Sequence, residues 1–444
     1  MADVKVQRGS FILGNGTASK TLTAGVDYTA PSAASAAFVR IISSRHHSMA
    51  DFTNGGIQSP DDATVRIDYP SGDITDDIRF TRYATSGGSK VCWEIIEYTG
   101  SAGGPNEFIV RGVGEISFGY GEATKLSGTI SGITSRSDCV PFLTYAASDG
   151  SINDQARHAF RLSVVDDSGN DKVQGDRNDT TGDPTKYAGY ACVEFTGSNW
   201  SVQQIDHTYS NPGNEETEAI TDVGALTRAF FHAHYSHQDN QDYSSGHEVY
   251  FNSTTQLGLR VDANASGNKY ARIFVVSNSQ TDAGAMAVQH KNGTRAGGKT
   301  DPDVWNLTVT EVAAMDATSV IDVTTRSEEN YESGTIPVLA ELTSTTNVEL
   351  GRVESMAAAD DIFYRVQVVE WPTAPTESLH DFRFFLDDGG EGEATPAQAQ
   401  GQNHSIATGG KTRLRYQVKQ PVGGEYQAEL RLKGSQNWFR LQRP

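Results

Sequence analysis

The chain has few of the residues that brace small secreted domains. Its 444 residues include 14 prolines and only 3 cysteines, Cys92, Cys139 and Cys192. Because the cysteines are odd in number and far apart, we expect buried thiols rather than a disulfide framework. No apolar run reaches roughly 18 residues, so we expect no transmembrane helix and no membrane insertion. Residues 1–5 also lack the charged-then-apolar layout of a secretory signal.

Basic side chains are scarce as well. Lys and Arg total 36 against 56 Asp and Glu, which gives a net charge of −20. Such a chain repels phosphate backbones, so we expect no nucleic-acid partner. The acidity and the small number of lysines, 12 against 24 arginines, suit either ordinary solubility or a saline habitat.

Residues that favour strands and turns are abundant. The chain has 44 Gly, 18 Phe and 17 Tyr, and its hydrophobic content of 37% is too high for a disordered protein. Residues 77–83 alternate apolar and polar side chains, as a half-buried strand does. No segment shows a sustained helical stripe of apolar residues. The composition therefore predicts many short strands joined by tight turns.

Four segments of the chain begin and end alike, which indicates internal repeats. They open with similar strand-like stretches, at residues 4–9, 108–112, 200–204 and 287–290. They close with similar apolar stretches, at residues 93–98, 190–195, 272–276 and 366–371. The spacing of roughly 85–105 residues is that of a domain and exceeds the 20–45 residues of solenoid repeats.

The predicted fold class is all-β, built of tandem antiparallel β-sandwich domains of Ig-like or jelly-roll-like type, with little or no helix. The predicted boundaries are four β-sandwich repeats at 1–104, 105–199, 200–285 and 286–372 and a small C-terminal β-sandwich at 373–444. In the last of these, Leu414, Tyr416 and Val418 alternate with polar residues, as in a half-buried strand.

The closing stretches are apolar on both sides. In the first repeat Val91, Trp93 and Ile95 should point one way, while Cys92 and Ile96 point the other. One side lines the core of the repeat. The other side needs cover, either from a neighbouring repeat or subunit or from a loop over the middle of the sheet.

Two histidines are the candidate metal ligands. His232 and His234 lie two apart on a predicted strand and so share one face, where two imidazoles can hold a metal ion. His237 and His247 follow nearby. The alternative is that both are polar side chains on the outward face of the strand.

Acidic residues supply the other candidates. The runs at 166–171 and 387–391 group several carboxylates, but neither has the spacing of a calcium loop, so turns explain them better. Four glutamates at the closing stretches could be paired glycosidase acids, although their recurrence favours a structural role such as pairing with arginine: Glu94, Glu97, Glu194 and Glu370. We expect no catalytic residues and no cofactor, because the known nucleophile, phosphate and zinc-protease motifs are absent from the sequence.

The repeated opening at residues 6–9, the closing stretch at 93–98 and the return at 109–112 resemble β-repeat virion proteins of tailed viruses. Proteins of that kind build fibres, spikes, turrets, baseplate parts and capsid decorations. The segment at 382–416 is similar to accessory sandwiches of viral and bacterial surface proteins. The third repeat departs from the pattern, with Gln203 and Gln204 where Arg and Gly are expected.

The resemblance implies a structural virion protein, assembled in the host cytoplasm, that forms an appendage and contributes to attachment to the host surface. The implied partners are further copies of the chain, for example in a trimer, other virion proteins, and a host surface glycan or receptor. Two alternatives are a cell-surface adhesin that binds a glycan or receptor and, less favoured, a carbohydrate-active enzyme with β accessory modules.

Overall fold

A computed structural model describes most of the first 372 residues and four strands beyond them. The described ranges are 3–44, 49–50, 64–83, 85, 88–149, 159–178, 185–210, 213–237, 246–261, 268–282, 284–296, 303–327, 338–352, 361–372, 379–386, 412–418, 429–431 and 438–440. The chain forms two compact units, Met1–Ala374 and Pro375–Pro444.

The predicted all-β fold is confirmed. Within the described residues the helical elements are four 3-10 turns of three residues each: Ala34–Ala36, Arg136–Asp138, Leu226–Arg228 and Met315–Ala317. Repeat 1 contains β1 (Val4–Leu13), β2 (Ser19–Thr23), β3 (Ala37–Ile41), β4 (Met49–Ala50), β5 (Arg66–Asp68), β6 (Asp77–Thr81) and β7 (Ser89–Tyr98). Repeat 2 contains β8 (Ile109–Phe118), β9 (Thr124–Leu126), β10 (Cys139–Ser148), β11 (Arg161–Asp167), β12 (Asn170–Asp176) and β13 (Lys186–Glu194).

The remaining repeats continue the same order. Repeat 3 contains β14 (Trp200–Tyr209), β15 (Glu216–Ala219), β16 (Ala229–His237), β17 (His247–Ser253), β18 (Gln256–Val261) and β19 (Lys269–Asn278). Repeat 4 contains β20 (Ala287–Arg295), β21 (Asp303–Thr308), β22 (Thr318–Ser327), β23 (Leu339–Ser344), β24 (Asn347–Arg352) and β25 (Ile362–Glu370). The second unit contains β26 (Leu379–Leu386), β27 (Thr412–Val418), β28 (Glu429–Arg431) and β29 (Trp438–Arg440), paired as β26 with β27 and β28 with β29.

Every repeat has the same strand topology. The opening strand, the closing strand and the strand after the 3-10 turn form one antiparallel sheet, as in the order β1–β7–β3. The other three strands form the facing sheet, as in β2–β6–β5. The same strand orders recur as β8–β13–β10 with β9–β12–β11, β14–β19–β16 with β15–β18–β17, and β20–β25–β22 with β21–β24–β23. The pairing of His247 on β17 with Thr325 on β22 joins β15–β18–β17 of repeat 3 to β22–β25–β20 of repeat 4 in one six-stranded sheet. Each repeat is therefore a six-stranded sandwich, and repeat 1 carries the extra short strand β4.

Glycines on the opening strands make room for aromatic rings on the closing strands. A Cβ atom at Gly9 would lie 2.7 Å from the ring of Trp93, and one at Gly114 would lie 2.8 Å from the hydroxyl of Tyr190. In a sheet, a glycine weakens the strand but lets a neighbouring group approach the backbone closely. Here the aromatic side chain occupies that space and lines the core of its repeat.

The two-sided closing strands bury both faces, as the sequence predicts. In β7, Val91, Trp93 and Ile95 lie in the core of repeat 1, whereas Ile96 and Tyr98 lie in a second apolar cluster. That second cluster, called the shared core below, draws on all four repeats: Val4, Val6, Phe38, Ile96, Tyr98, Phe108, Val110, Val140, Phe142, Ala191, Val193, Phe195, Phe230, Phe274, Val276, Met286, Val288, Ile321, Val369 and Trp371. The cover therefore comes from other repeats of the same chain.

The repeats contact one another in a closed cycle. The opening strand of repeats 2, 3 and 4 packs against the 3-10 turn of the preceding repeat. The opening strand of repeat 1 packs against the 3-10 turn of repeat 4, which closes the cycle. At this last junction Arg8 donates to the carbonyl of Met315 at 2.8 Å. Aromatic rings also meet across the cycle: the ring centroids of Phe108 in repeat 2 and Trp371 in repeat 4 are 6.1 Å apart. The four sandwiches thus belong to one compact unit.

A buried asparagine ties the segments between repeats together. The side-chain amide of Asn106 donates to Asp3 at 3.0 Å and to Gln280 at 2.8 Å. Its carbonyl oxygen accepts from Asn199 at 2.9 Å and from Asn278 at 3.2 Å. All donor and acceptor sites of this fully buried amide are used. The network therefore fixes the three segments that connect successive repeats.

Candidate functional site

The centre of the cycle contains a layer of buried polar groups that sequence patterns did not reveal as a set. We call Arg40, Glu94, His232, His234 and Asp322 the polar layer; their side chains are buried. They come from repeats 1, 3 and 4, on strands β3, β7, β16 and β22.

Repeat 1 contributes an ion pair that also binds the backbone of repeat 4. Arg40 Nη2 lies 3.4 Å from Glu94 Oε2, and Arg8 Nε lies 3.6 Å from Glu94 Oε1. Arg40 donates to the carbonyl of Ile321 at 2.5 Å and also to that of Val320. Burial lowers the pKa of Arg40, while Glu94 beside it acts in the opposite direction. The pairing of a closing-strand glutamate with arginine, expected from the sequence, is present here.

The two candidate metal ligands lie side by side but inside the protein. The ring centroids of His232 and His234 are 4.7 Å apart, so the two imidazoles share one face of β16 as predicted. Their alternative placement on an outward face is wrong, because both are buried. His232 Nε2 accepts from the backbone N–H of Leu143 at 3.1 Å, and His234 Nδ1 accepts from that of Leu162 at 3.1 Å. Both histidines thus join repeat 3 to repeat 2.

Asp322 completes the layer from repeat 4. Its Oδ2 atom accepts from the backbone N–H of Ala233 at 2.8 Å and lies 3.8 Å from Nδ1 of His232. Burial raises the pKa of Asp322 to about 7, against the opposing effects of the Ala233 hydrogen bond and the charge of Arg40. A carboxyl group in this place titrates near neutrality.

The described residues contain no group of three or more side chains suited to hold a metal ion. The ring nitrogens that accept from Leu143 and Leu162 are engaged with the neighbouring repeat. His247 stacks on Tyr235 with centroids 4.6 Å apart, and the side chain of His237 lies outside the described residues. A metal site at His232 and His234 stays a prediction.

The other closing-strand glutamates hold turns. Glu194 accepts from the N–H groups of Thr134 and Ser135 at 2.9 and 2.7 Å and from Arg111 Nε at 2.5 Å. These hydrogen bonds lower the pKa of Glu194 even though its burial acts to raise it. Glu97 accepts from the N–H of Ser32, and Glu370 from that of Ala313. In each case the carboxylate fixes the turn that precedes a 3-10 element.

Of the two acidic runs, the one at 166–171 holds a turn. Gly169 N–H donates to Asp166 at 2.9 Å in the β11–β12 hairpin, as a turn requires. His207 is buried, and its ring nitrogens lie 2.8 Å from Glu218 and 3.2 Å from Glu216. The acidic run at 387–391 lies outside the described residues, as do the histidines His46, His47 and His158. All three cysteines are buried and free of disulfides, as expected.

A cleft between repeats 1 and 2 is a second candidate site. Its volume is about 310 Å³, and its lining comprises Arg66, Ile67, Asp68, Tyr69, Gly72, Val113, Gly114, Glu115, Thr144, Tyr145 and Tyr190. Strand β5 and the turn after it supply one wall; strands β8, β10 and β13 supply the other. Pockets that hold small ligands combine apolar walls with a few fixed polar groups, as this cleft does.

The charged groups of the cleft are held in place by paired contacts. Arg66 makes a two-pronged ion pair across the junction, with Nε and Nη2 at 2.8 and 2.7 Å from the two oxygens of Glu115. Tyr145 donates to the same carboxylate at 2.6 Å. The guanidinium of Arg66 also lies over the ring of Tyr187, 3.9 Å from its centroid. On the repeat 1 side, Asp68 pairs with Arg79 at 2.9 Å.

No helix in the described part of the chain is both long and apolar enough to cross a membrane. Comparison of the chain with protein-family models, with curated proteins and with solved structures finds no match.

Proposed function

We propose that the chain is a structural virion protein of a tailed virus that forms an appendage on the tail or head and contributes to host-surface attachment. The observation that supports this most is the closed cycle of four sandwiches around one shared core. A cycle closed within one chain keeps its geometry at any concentration, which suits a permanent part of a particle.

The use of the acidic side chains also favours a structural role. The closing-strand carboxylates of all three repeats that have them accept hydrogen bonds from turns or pair with arginine. Groups with such partners serve the fold. The loops between strands remain available for recognition, as loops on rigid scaffolds often are.

Mass spectrometry of purified virions should find the chain at a fixed copy number per particle. Its presence only in lysates of infected cells would overturn the proposal.

Association with further copies, for example as a trimer, and with other virion proteins belongs to the same proposal. Sedimentation of the purified chain measures the self-association. The covered second faces of the closing strands no longer supply a reason for it, so any subunit contact must use another surface.

A second candidate, a cell-surface adhesin, draws support from the cleft between repeats 1 and 2. Its polar groups are preorganised and reachable, with the Arg66 side chain 39% exposed and that of Glu115 22% exposed. Detection of the chain on intact cells with no virion association would favour this reading.

A further inference from the structure

We infer that the cleft between repeats 1 and 2 binds an uncharged saccharide unit of a surface glycan. This deepens the attachment role and rests on the proposed function for the source of the glycan. A volume of about 310 Å³ lies at the lower end of the range for small-ligand pockets, about 300–1,000 Å³. It suits a compact unit of one or two rings.

The walls present both apolar and hydroxyl character. Tyr69, Tyr145 and Tyr190 line the cleft from three different elements, and Ile67 and Val113 add aliphatic surface. Tyr145, Tyr190 and Ile67 are buried, so the half-buried Tyr69 and the exposed Val113 provide most of the apolar surface that a ligand can reach. A tyrosine offers an apolar ring with a hydroxyl at its edge. A sugar ring has the complementary character, because C–H groups cover its faces and hydroxyls surround its edge.

The charged groups that line the cleft are already paired. Arg66 pairs with Glu115 inside the cleft, and Asp68 pairs with Arg79, which lies outside the lining. This set of one cation and two carboxylates does not favour a phosphate, and it does not favour a metal ion because arginines engage both carboxylates. It does provide fixed donors and acceptors, and hydrogen bonds to charged groups are about twice as strong as those between neutral groups.

The paired groups keep hydrogen-bonding capacity for a ligand. Arg66 uses Nε and Nη2 for Glu115, and no described residue accepts from its Nη1. An ionised carboxylate offers about four lone-pair sites, of which Glu115 uses three for Arg66 and Tyr145. A donor and an acceptor held side by side on one ion pair can bind neighbouring hydroxyls of one sugar.

A neutral saccharide is also favoured over a peptide strand. The edge strand that borders the cleft, β5, spans only Arg66–Asp68, which is short for the addition of an extended peptide. The net charge of −20 disfavours polyanionic ligands.

The test is binding of the full chain to an array of bacterial surface polysaccharides, with animal and plant glycans alongside, followed by calorimetry on each hit. Val113, at the cleft wall and 38% exposed, is replaced by Trp to fill the space. Val304→Trp, on β21 of repeat 4 at a valine that is 43% exposed, is the matched control. We expect at least a tenfold loss of affinity for Val113→Trp and no change for the control.

A second variant, Val113→Lys, covers the case in which the Trp variant melts at a lower temperature than the control. Full affinity in a folded Val113 variant would overturn the inference, as would the absence of any saccharide hit. Capture of peptides but not saccharides from a displayed library would also overturn it. A chain that is found in virions but binds no saccharide refutes only this inference, whereas a saccharide-binding chain absent from virions refutes only the virion role.

Discussion

The centre of the four-repeat body has two regions of opposite chemistry. In the shared core, corresponding positions of the closing strands are all apolar: Ile96, Val193, Val276 and Val369. At the level of the polar layer, the corresponding positions of the strands after the 3-10 turns differ in every repeat. Repeats 1, 3 and 4 have Arg40, His232 and Asp322, and repeat 2 has Phe142 of the shared core, each opposite the matching residue of its closing strand.

This difference gives the two regions different roles: the shared core holds the repeats together, and the polar layer sets their order around the cycle. Apolar contacts are non-directional, so the shared core would hold four sandwiches in almost any sequence around the cycle. The polar groups make specific pairs, Arg40 with the carbonyls of repeat 4 and Asp322 with the backbone of repeat 3. A wrong neighbour would leave a buried charge without its partner, which is costly. We therefore expect the shared core to dominate stability and the polar layer to fix which repeat adjoins which.

The largest effect should come from the shared core. Trp371 is buried, contacts Phe108, Trp200 and Phe230, and donates to Ser319 at 2.8 Å. Trp371→Ala should lower the free energy of unfolding by about 4 kcal/mol, because it empties a large buried site. Denaturant titration measures this.

The matched control is Tyr120→Ala, since Tyr120 is 71% exposed and should contribute little. A loss below about 1 kcal/mol for Trp371→Ala would show that the repeats are stable without the shared core.

The next effect should come from the buried ion pair. Glu94→Ala should cost about 3 kcal/mol, because it leaves the Arg40 guanidinium buried without its carboxylate. Replacement of Arg40 and Glu94 together by Met should recover much of that loss, since the buried Arg40 charge is removed with its partner and Arg8, the second cation beside Glu94, still donates to the carbonyl of Met315. If the double variant is less stable than Glu94→Ala, the two side chains stabilise the folded chain by more than neutralising each other's charge.

The sequence is enough to predict the sandwiches but not their arrangement. Alternation and two-sided apolarity place Trp93 and Ile96 on opposite faces of β7, and they do lie in different cores. Nothing in that pattern distinguishes cover by a loop, a subunit or another repeat, because all three would bury the same side chains.

The sites show the same limit. His232 and His234 stand out by spacing, yet their partners Leu143 and Leu162 are backbone groups about 70–90 residues away, which no residue type reveals. Arg66 and Glu115 face each other only because repeat 1 adjoins repeat 2. The repeated Glu on the closing strands did indicate a structural role, as Glu194 illustrates.

A smaller effect should appear as a pH dependence of the polar layer. The pKa of Asp322 is raised to about 7, from 3.8 in the unfolded chain, so the folded protein retains a proton that the unfolded chain has lost. The stability this contributes is complete below about pH 4 and is lost as the pH rises through about 7. The slope from one such group is at most about 1.4 kcal/mol per pH unit.

Asp322→Asn should remove that slope while the amide oxygen still accepts from Ala233. The difference in unfolding free energy between the variant and the original chain, measured from pH 4 to pH 8, isolates this residue from other titrating groups. A difference that stays constant over this range would contradict a carboxyl that titrates near pH 7.

The smallest effect should come from a repeated contact at the periphery. In three repeats a glutamine of the opening strand forms two hydrogen bonds with the backbone of one threonine: Gln7 with Thr29, Gln203 with Thr221 and Gln289 with Thr310. Repeat 2 has Arg111 instead, which pairs with Glu194.

Gln203→Ala should cost about 1 kcal/mol, because the backbone groups of Thr221 are exposed enough for water to replace the amide. Hydrogen exchange should therefore show faster exchange of the Thr221 amide, with the amides of the shared-core strands unchanged. If shared-core amides such as that of Val276 also exchange faster, the turns before the 3-10 elements help to hold the cycle closed. The repeats would then be held together by these peripheral contacts as well as by the shared core.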